Sequence, residues 1–214
     1  MKVLILACRK YAWLVPITLH FCKKYWLDNP YQIEIVAEAD YIGKAGFDPD
    51  GGLWSTWVLN YLKQSKEDKF LFIMEDFMIR APIDTKRIIA AEALCTNNVG
   101  CVRLNEPDKW FRRHAKETEI EGFREYPLDQ KYSASLQIAI WQKRYLLDFF
   151  EKDESAWRVE HHGSRRLREL KGMWRILWAE SMIIDYYPGG IMEKGELRLL
   201  TVQQTLLNLI GEKK

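Results

Sequence analysis

The sequence predicts an α/β fold, a single domain built on a mixed, mostly parallel sheet flanked by helices. Short apolar runs alternate with amphipathic segments through the first hundred residues, the order that strand–helix–strand units require. The chain has 214 residues, 48% of them hydrophobic, which is enough for one substantial core. Formal net charge is only +2, so overall charge selects no class of partner.

"KVLILAC" is the first buried strand. Pro16 opens "PITLHFCKKYW", where Ile17, Phe21 and Trp26 suit a helix with Pro in its first turn. "YQIEIVAEA" reads as the second strand and "DPDGG" as a loop. "LWSTWVLNYLKQS" has helical spacing through Leu53, Trp57, Leu59 and Leu62. "KFLFIMEDFMI" is the third strand, and "PIDTKRIIAAEAL" a helix capped by Asp84 or Thr85. "GCVRL" is a further strand.

Beyond Leu104 the order loosens. Residues 105–130 form a polar excursion with an antiparallel edge. "YSASLQIAIW" reads as a strand whose Ser133, Ser135 and Gln137 share one face. "KRYLLDFFEKD" reads as a helix, "SAWRVEHHGSRR" as a loop or short helix start, and "WRILWAESMIIDYY" as containing another strand. "TVQQTLLNLI" is a terminal amphipathic helix that either closes the core or pairs two subunits. Residues 105–214 elaborate the domain begun by 1–104.

Cys8, Cys22, Cys95 and Cys101 have neither CxxC pairing nor zinc spacing, and no secretory signal precedes them. They read as reduced cysteines of a cytoplasmic protein. No stretch approaches the ~18 apolar residues of a membrane span. Aromatic content is high, with nine Trp and ten Tyr, which either fill the core or stack on bases and sugar rings.

One stretch resists the structural reading. Glu75 and Asp76 are adjacent acids inside an apolar run, where an unpaired charge is costly. Either Arg80 or Lys69 pairs with them, or they hold a hard cation, which takes one or two carboxylates plus substrate phosphates. Extended, the two side chains point to opposite faces; if the chain turns at Asp76, both approach one ion. In open parallel sheets ligands bind outside the carboxyl ends of strands, where this pair stands.

A strand-helix-strand start followed by an apolar strand, an acidic pair and Phe77 resembles the GT-A-fold glycosyltransferases, which use nucleotide-sugar donors. "YSASLQIAIW" and the Trp157–Glu160 spacing are similar to segments of small bacterial and phage members. The resemblance covers most of residues 1–190 and implies a GT-A-like, Rossmann-related domain with a nucleotide-sugar-binding half, 1–104, and an acceptor-binding half, 105–214. The family's Asp-any-Asp motif is Met74-Glu75-Asp76 here, with the first acid absent. It implies Asp76 as ligand of Mn²⁺ or Mg²⁺, Glu75 as a ribose or supporting group, and His162 or His161 as completing the metal shell. It places Ala7, Arg9 and Tyr11 at the donor's base and ribose, and Glu160 as general base of an inverting transfer.

Arg165, Arg168 and Arg175, read at helical spacing, line one face that suits a donor diphosphate, an anionic membrane or a nucleic-acid backbone, or is simply solvated. The acceptor is a saccharide, a lipid-linked glycan or modified DNA. The competing readings are a nucleic-acid-binding protein and a nucleotide-sugar-binding module without catalysis. Nucleotidyl transfer ranks lower, because no Gly-rich, Arg-Lys triphosphate loop follows the first strand.

Overall fold

The computed structural model describes residues 1–37, 54–105, 109–170, 172–187, 190–193 and 196–198. β1 (Lys2–Leu6) leads through a 3-10 turn (Arg9–Leu14) into α1 (Val15–Tyr25), with Pro16 at its start, then β2 (Ile33–Val36). α2 (Trp54–Gln64), β3 (Lys69–Met74), α3 (Thr85–Leu94) and β4 (Val99–Arg103) follow. Asp84 caps α3, its carboxylate accepting from the Lys86 and Arg87 amides. Next come α4 (Lys109–His114), β5 (Lys116–Glu117), β6 (Phe123–Tyr126), β7 (Ala139–Gln142), α5 (Lys143–Phe149), α6 (Ala156–Glu169) and β8 (Arg175–Ala179). β9 (Met192–Glu193) and β10 (Glu196–Leu197) make a small ribbon.

The sheet runs β2-β1-β3-β7-β4-β8-β6-β5. Six of its eight strands point the same way; β7 and β6 oppose them. β1 and β3 are buried on both faces, which is why each reads as an unbroken apolar run. Val3, Ile5, Leu71 and Ile73 pack with α1 and α3 on one side. Leu4, Leu6, Phe70 and Phe72 pack with α2, α5 and α6 on the other. The expected mixed, mostly parallel α/β sheet is therefore present, with the antiparallel edge in β5 and β6.

Three expectations need correction. Residues 132–138 are not strand: Tyr132 has a left-handed φ of 59°, and only Ala139–Gln142 joins the sheet. Side chains satisfy much of this backbone in place of strand pairing, beside the Leu104 amide that donates to Ile138 and the Ser135 amide that donates to Tyr132. Arg103 Nη2 donates to the Tyr132 and Ser133 carbonyls, while the Ala134 amide donates to Ser164 Oγ and the Leu136 amide to Glu160 Oε1. Ser133 and Ser135 are accordingly buried instead of lining an open face.

"SAWRVEHHGSRR" is a full helix, not a loop: Ser155 caps α6, accepting from the Arg158 amide, and Val159 and Leu167 face the core. Gly163, which looks like a turn residue, is where α6 approaches α5 and the 132–138 turn. A Cβ there would lie 2.8 Å from Phe149 Cδ2 and 3.2 Å from Ala134 Cβ. Finally, α6 stops at Glu169 and Arg175 starts β8, so Arg175 shares no helix face with Arg165 and Arg168. It pairs with Glu119 and Glu125. Gly51 and Gly52, and the terminal helix expected at 201–210, lie outside the described residues.

The Gly163 contact yields a stability prediction. Gly163→Ala gains about 1 kcal/mol of helix propensity but overpacks a site where such insertions cost about 1–3 kcal/mol. A net loss is expected, read as a lower urea midpoint with an unchanged slope.

Candidate functional site

β3 ends at Met74, and the Phe77 amide donates back to the Met74 carbonyl at 3.0 Å, so Glu75 and Asp76 sit in a turn and not along an extended strand. Glu75 points inward, 2% exposed. Its Oε1 accepts from the amide and thiol of Cys8, each at 3.4 Å, and Oε2 has no hydrogen-bond partner among the described residues. Thr18 Oγ1 donates to the Glu75 carbonyl and the Glu75 amide donates to Leu6 at 3.0 Å, tying the turn to β1 and α1. Asp76 lies against residues 190–192. The Ile191 amide donates to its carbonyl at 3.0 Å, and the Met192 backbone bonds its carboxylate. Gly190, at φ 73°, packs so closely that a Cβ would overlap that carboxylate.

The ion-pair explanation of the acids fails. Arg80 binds Asp185 at 2.6 Å, and Lys69 donates to the Glu92 carbonyl at 2.9 Å. Burial pushes the Glu75 carboxyl up, and the adjacent Asp76 charge pushes it further. Burial raises Asp76 as well, against the pull of its backbone donors. A buried carboxylate oxygen without a donor, beside a second acid of raised proton affinity, fits a group held by one or two carboxylates, as hard cations are.

The end of β1 adjoins this pair. Ala7 is buried and its amide donates to Val36 at 3.1 Å. Arg9 follows in the 3-10 turn with its guanidinium 5.8 Å from the Trp57 ring centroid. Tyr11 is partly buried, the Lys10 ammonium 5.4 Å from its ring.

Glu160 projects from α6 toward the 132–138 turn. Its Oε1 accepts from the Leu136 amide at 2.6 Å, and the Ser135 hydroxyl donates as well. Burial raises its proton affinity; those two bonds, Arg103 and His161 oppose the rise. Arg103, fully buried at the end of β4, stands 4.4 Å from the Trp178 centroid and 5.6 Å from Tyr126. Its Nε and Nη1 have no hydrogen-bond partner among the described residues. Tyr186 joins the two acid sites: its hydroxyl donates to Gln137, its ring stacks on Phe77 at 4.8 Å, and Asp76, Glu160 and Arg103 all act on its titration.

His162 has a different partner from the one the family likeness implies. Two residues along a helix is more than half a turn, so it faces away from Glu160. Its Nδ1 is 2.9 Å from Glu154 Oε1, and Arg166 clamps the same carboxylate at 2.6 Å. His161 lies between Trp157, 4.5 Å away, and Tyr132, 6.0 Å away. Among the described residues no group of three His, Cys, Asp or Glu side chains is placed to hold a metal. Arg165 lines a pocket with Glu160.

The sequence reading assigned the stretch from Ala7 to Tyr11, Glu75 and Asp76 to the donor, and the structure sets Cys8 against Glu75; that reading did not single out Arg103, Tyr186 or Gly190. Arg103 had a readable signal: a cation closing an apolar strand, the same kind of anomaly that exposed Glu75. Among the described residues all four cysteines are free, and no helix is long and apolar enough to cross a membrane.

No family model and no curated protein sequence matches the chain. Solved structures do. Residues 1–349 of S. aureus TarS, in complex with UDP-GlcNAc, superpose with a TM-score of 0.56 at 17% identity, over 92% of this chain and 60% of that one. The present chain thus spans about three-fifths of that structure. A CMP:2-keto-3-deoxy-manno-octonic acid synthetase complexed with CTP superposes at 0.56 and 11% identity over the full length of both. The fold is therefore one shared by proteins solved with a nucleotide sugar or a nucleotide.

The acid pair makes stability depend on pH. Because the folded state raises both carboxyls, it holds their protons more tightly than the unfolded chain. That contribution is complete below the ordinary carboxylate range and is lost as pH rises through the raised values. In chelator, the melting temperature should fall from about pH 5 to about pH 8, and Glu75→Gln should flatten the fall; an equal slope in both proteins would refute the assignment.

Proposed function

We propose that this protein is a glycosyltransferase that moves a sugar from a nucleoside-diphosphate donor to an acceptor hydroxyl. The observation that carries the reading is the turn after β3. It sets two acids of raised proton affinity beside the end of β1, at the carboxyl edge of a sheet whose likenesses include a structure solved with UDP-GlcNAc. That edge is where such sheets bind ligands.

In this reading residues 1–104 hold the donor. Ala7, Arg9 and Tyr11 border the base and ribose, and Asp76, supported by Glu75, faces the diphosphate. Asp76 and Glu75 would hold Mn²⁺ or Mg²⁺, which when bound supplies positive charge to the leaving diphosphate. His162 has no part in it, being committed to Glu154. Residues 105–214 hold the acceptor. Glu160 accepts the acceptor hydroxyl's proton while that oxygen bonds to the sugar's anomeric carbon and the nucleoside diphosphate leaves with the electrons of the broken bond. The Leu136 and Ser135 donors keep the Glu160 carboxylate oriented, and Arg103 opposes its protonation without touching it. Nucleotidyl transfer is disfavoured by the 3-10 turn after β1, which contains no glycine.

Two outcomes test the reading. Nucleotide sugars with Mn²⁺ should raise the melting temperature by mass action, more at pH 8 than at pH 6 because cation binding must displace protons. Asp76→Ala should abolish that shift. Glu160→Gln should slow transfer by about 10²–10⁴ while donor affinity, measured by calorimetry, is unchanged. Undiminished turnover in either variant rejects its residue's role.

A further inference from the structure

Glu160 opens into a pocket of about 190 Å³ lined by Lys131, Tyr132, His161, Ser164, Arg165 and Arg168. That volume accommodates roughly half a dozen waters, the size of a phosphate with a short carbon chain. Its walls are fixed. Ser164 Oγ donates to the Glu160 carbonyl at 2.5 Å and accepts from Ala134, and Tyr132 is held in the left-handed region, where a bulky residue is strained. Arg103 grips the Tyr132 carbonyl at 2.7 Å, and the Tyr132 ring meets His161 edge-on.

The charge around this pocket is unbalanced. Arg166, on the same helix, is neutralised by Glu154 at 2.6 Å and Glu151 at 3.2 Å. Lys131, Arg165 and Arg168 make no ion pair among the described residues. Glu160, the one acid lining the pocket, offsets a single one of these three cations, and its carboxylate is turned to the Leu136 amide and the Ser135 hydroxyl. Three cations and an imidazole lining one concavity, against a single acid, favour a bound anion, and guanidinium forks match phosphate geometry.

Whatever occupies this pocket lies next to the proposed base, which must be within hydrogen-bond reach of the hydroxyl it deprotonates. The donor's diphosphate has its place by Asp76. We propose that Lys131, His161, Arg165 and Arg168 bind a phosphate group carried by the acceptor, so that the acceptor is a phosphorylated polyol or sugar whose hydroxyl is presented to Glu160. The inference rests on the glycosyltransferase reading for its second half; phosphate binding at the pocket stands apart from it. Arg165 thereby serves the acceptor and not the donor diphosphate.

Imidazole NMR separates the possibilities, since His161 is the one histidine lining the pocket. Glycerol 3-phosphate should shift the His161 resonances saturably, glycerol should not, and His20 and His114 should stay unmoved. Arg165→Met/Arg168→Met, at two exposed positions, should weaken that binding about tenfold or more, the worth of charge-assisted bonds. The thermal shift given by nucleotide sugars with Mn²⁺ should be unchanged in the double variant. If His161 does not respond, or responds no more than His20 and His114, the proposal is overturned. It is equally overturned if the double variant loses nucleotide-sugar binding and keeps the glycerol 3-phosphate titration, because the pocket then serves the donor. A wild-type protein that binds glycerol 3-phosphate at His161 but no nucleotide sugar upholds the phosphate site and removes sugar transfer.

Discussion

The candidate site depends on a carboxylate placed where, among the described residues, one of its oxygens meets no donor. Glu75 sits at the joint between β1 and β3, bonded through Oε1 to Cys8 and leaving Oε2 buried and bare. An unsatisfied buried acceptor costs about 1–3 kcal/mol. The apolar strands on either side hold the turn in place regardless, because β1 from Val3 to Leu6 and β3 from Phe70 to Ile73 are buried and Thr18 pins the turn's backbone. The hydrophobic core thus maintains a local electrostatic defect at the carboxyl edge of the sheet, and a defect of that sign is what a cationic ligand corrects.

A second arrangement, at the 132–138 turn, is the mirror of the first. There the backbone lacks strand partners, and side chains supply them: Arg103 to two carbonyls, Glu160 and Ser164 to two amides. Arg103 and Ser164 do double duty, as partners of the turn's backbone and as part of the surroundings of Glu160. Tyr186, bonded to Gln137 and stacked on Phe77, ties this turn to the acid pair. The two acid sites are parts of one polar layer laid over the end of the sheet.

Much of the fold was legible because the buried strands are unmistakable. β1, β3 and β4 read as apolar runs, and Pro16 and Asp84 announce α1 and α3. What failed did so for physical reasons. The alternation of polar and apolar residues in "YSASLQ" is the strand period, but long-range hydrogen bonds from Arg103 and α6 outcompeted pairing. "SAWRVEHHGSRR" read as a loop or short helix start, since it contains Gly163 and Gly in a helix costs about 1 kcal/mol against Ala; the close approach to Phe149 and Ala134 needs a residue without a side chain. For the candidate site, Glu75 stood out because an acid inside an apolar strand is anomalous. Arg103 carried the same anomaly at a strand's last position, where a cation ordinarily meets solvent, and only the tertiary structure shows it walled in by Trp178 and Tyr126.

The reversed course of β7 has an architectural effect. Its neighbours β3 and β4 deliver their carboxyl ends to the edge that bears the acid pair, whereas β7 begins there, so the residues just before it arrive from the opposite direction along the chain. The wall around Glu160 is consequently an insertion between sheet members and not an extension of the strands that carry the acid pair. A change in the length or charge of that wall would therefore leave the β1–β3 pairing that aligns the strand ends beneath it intact.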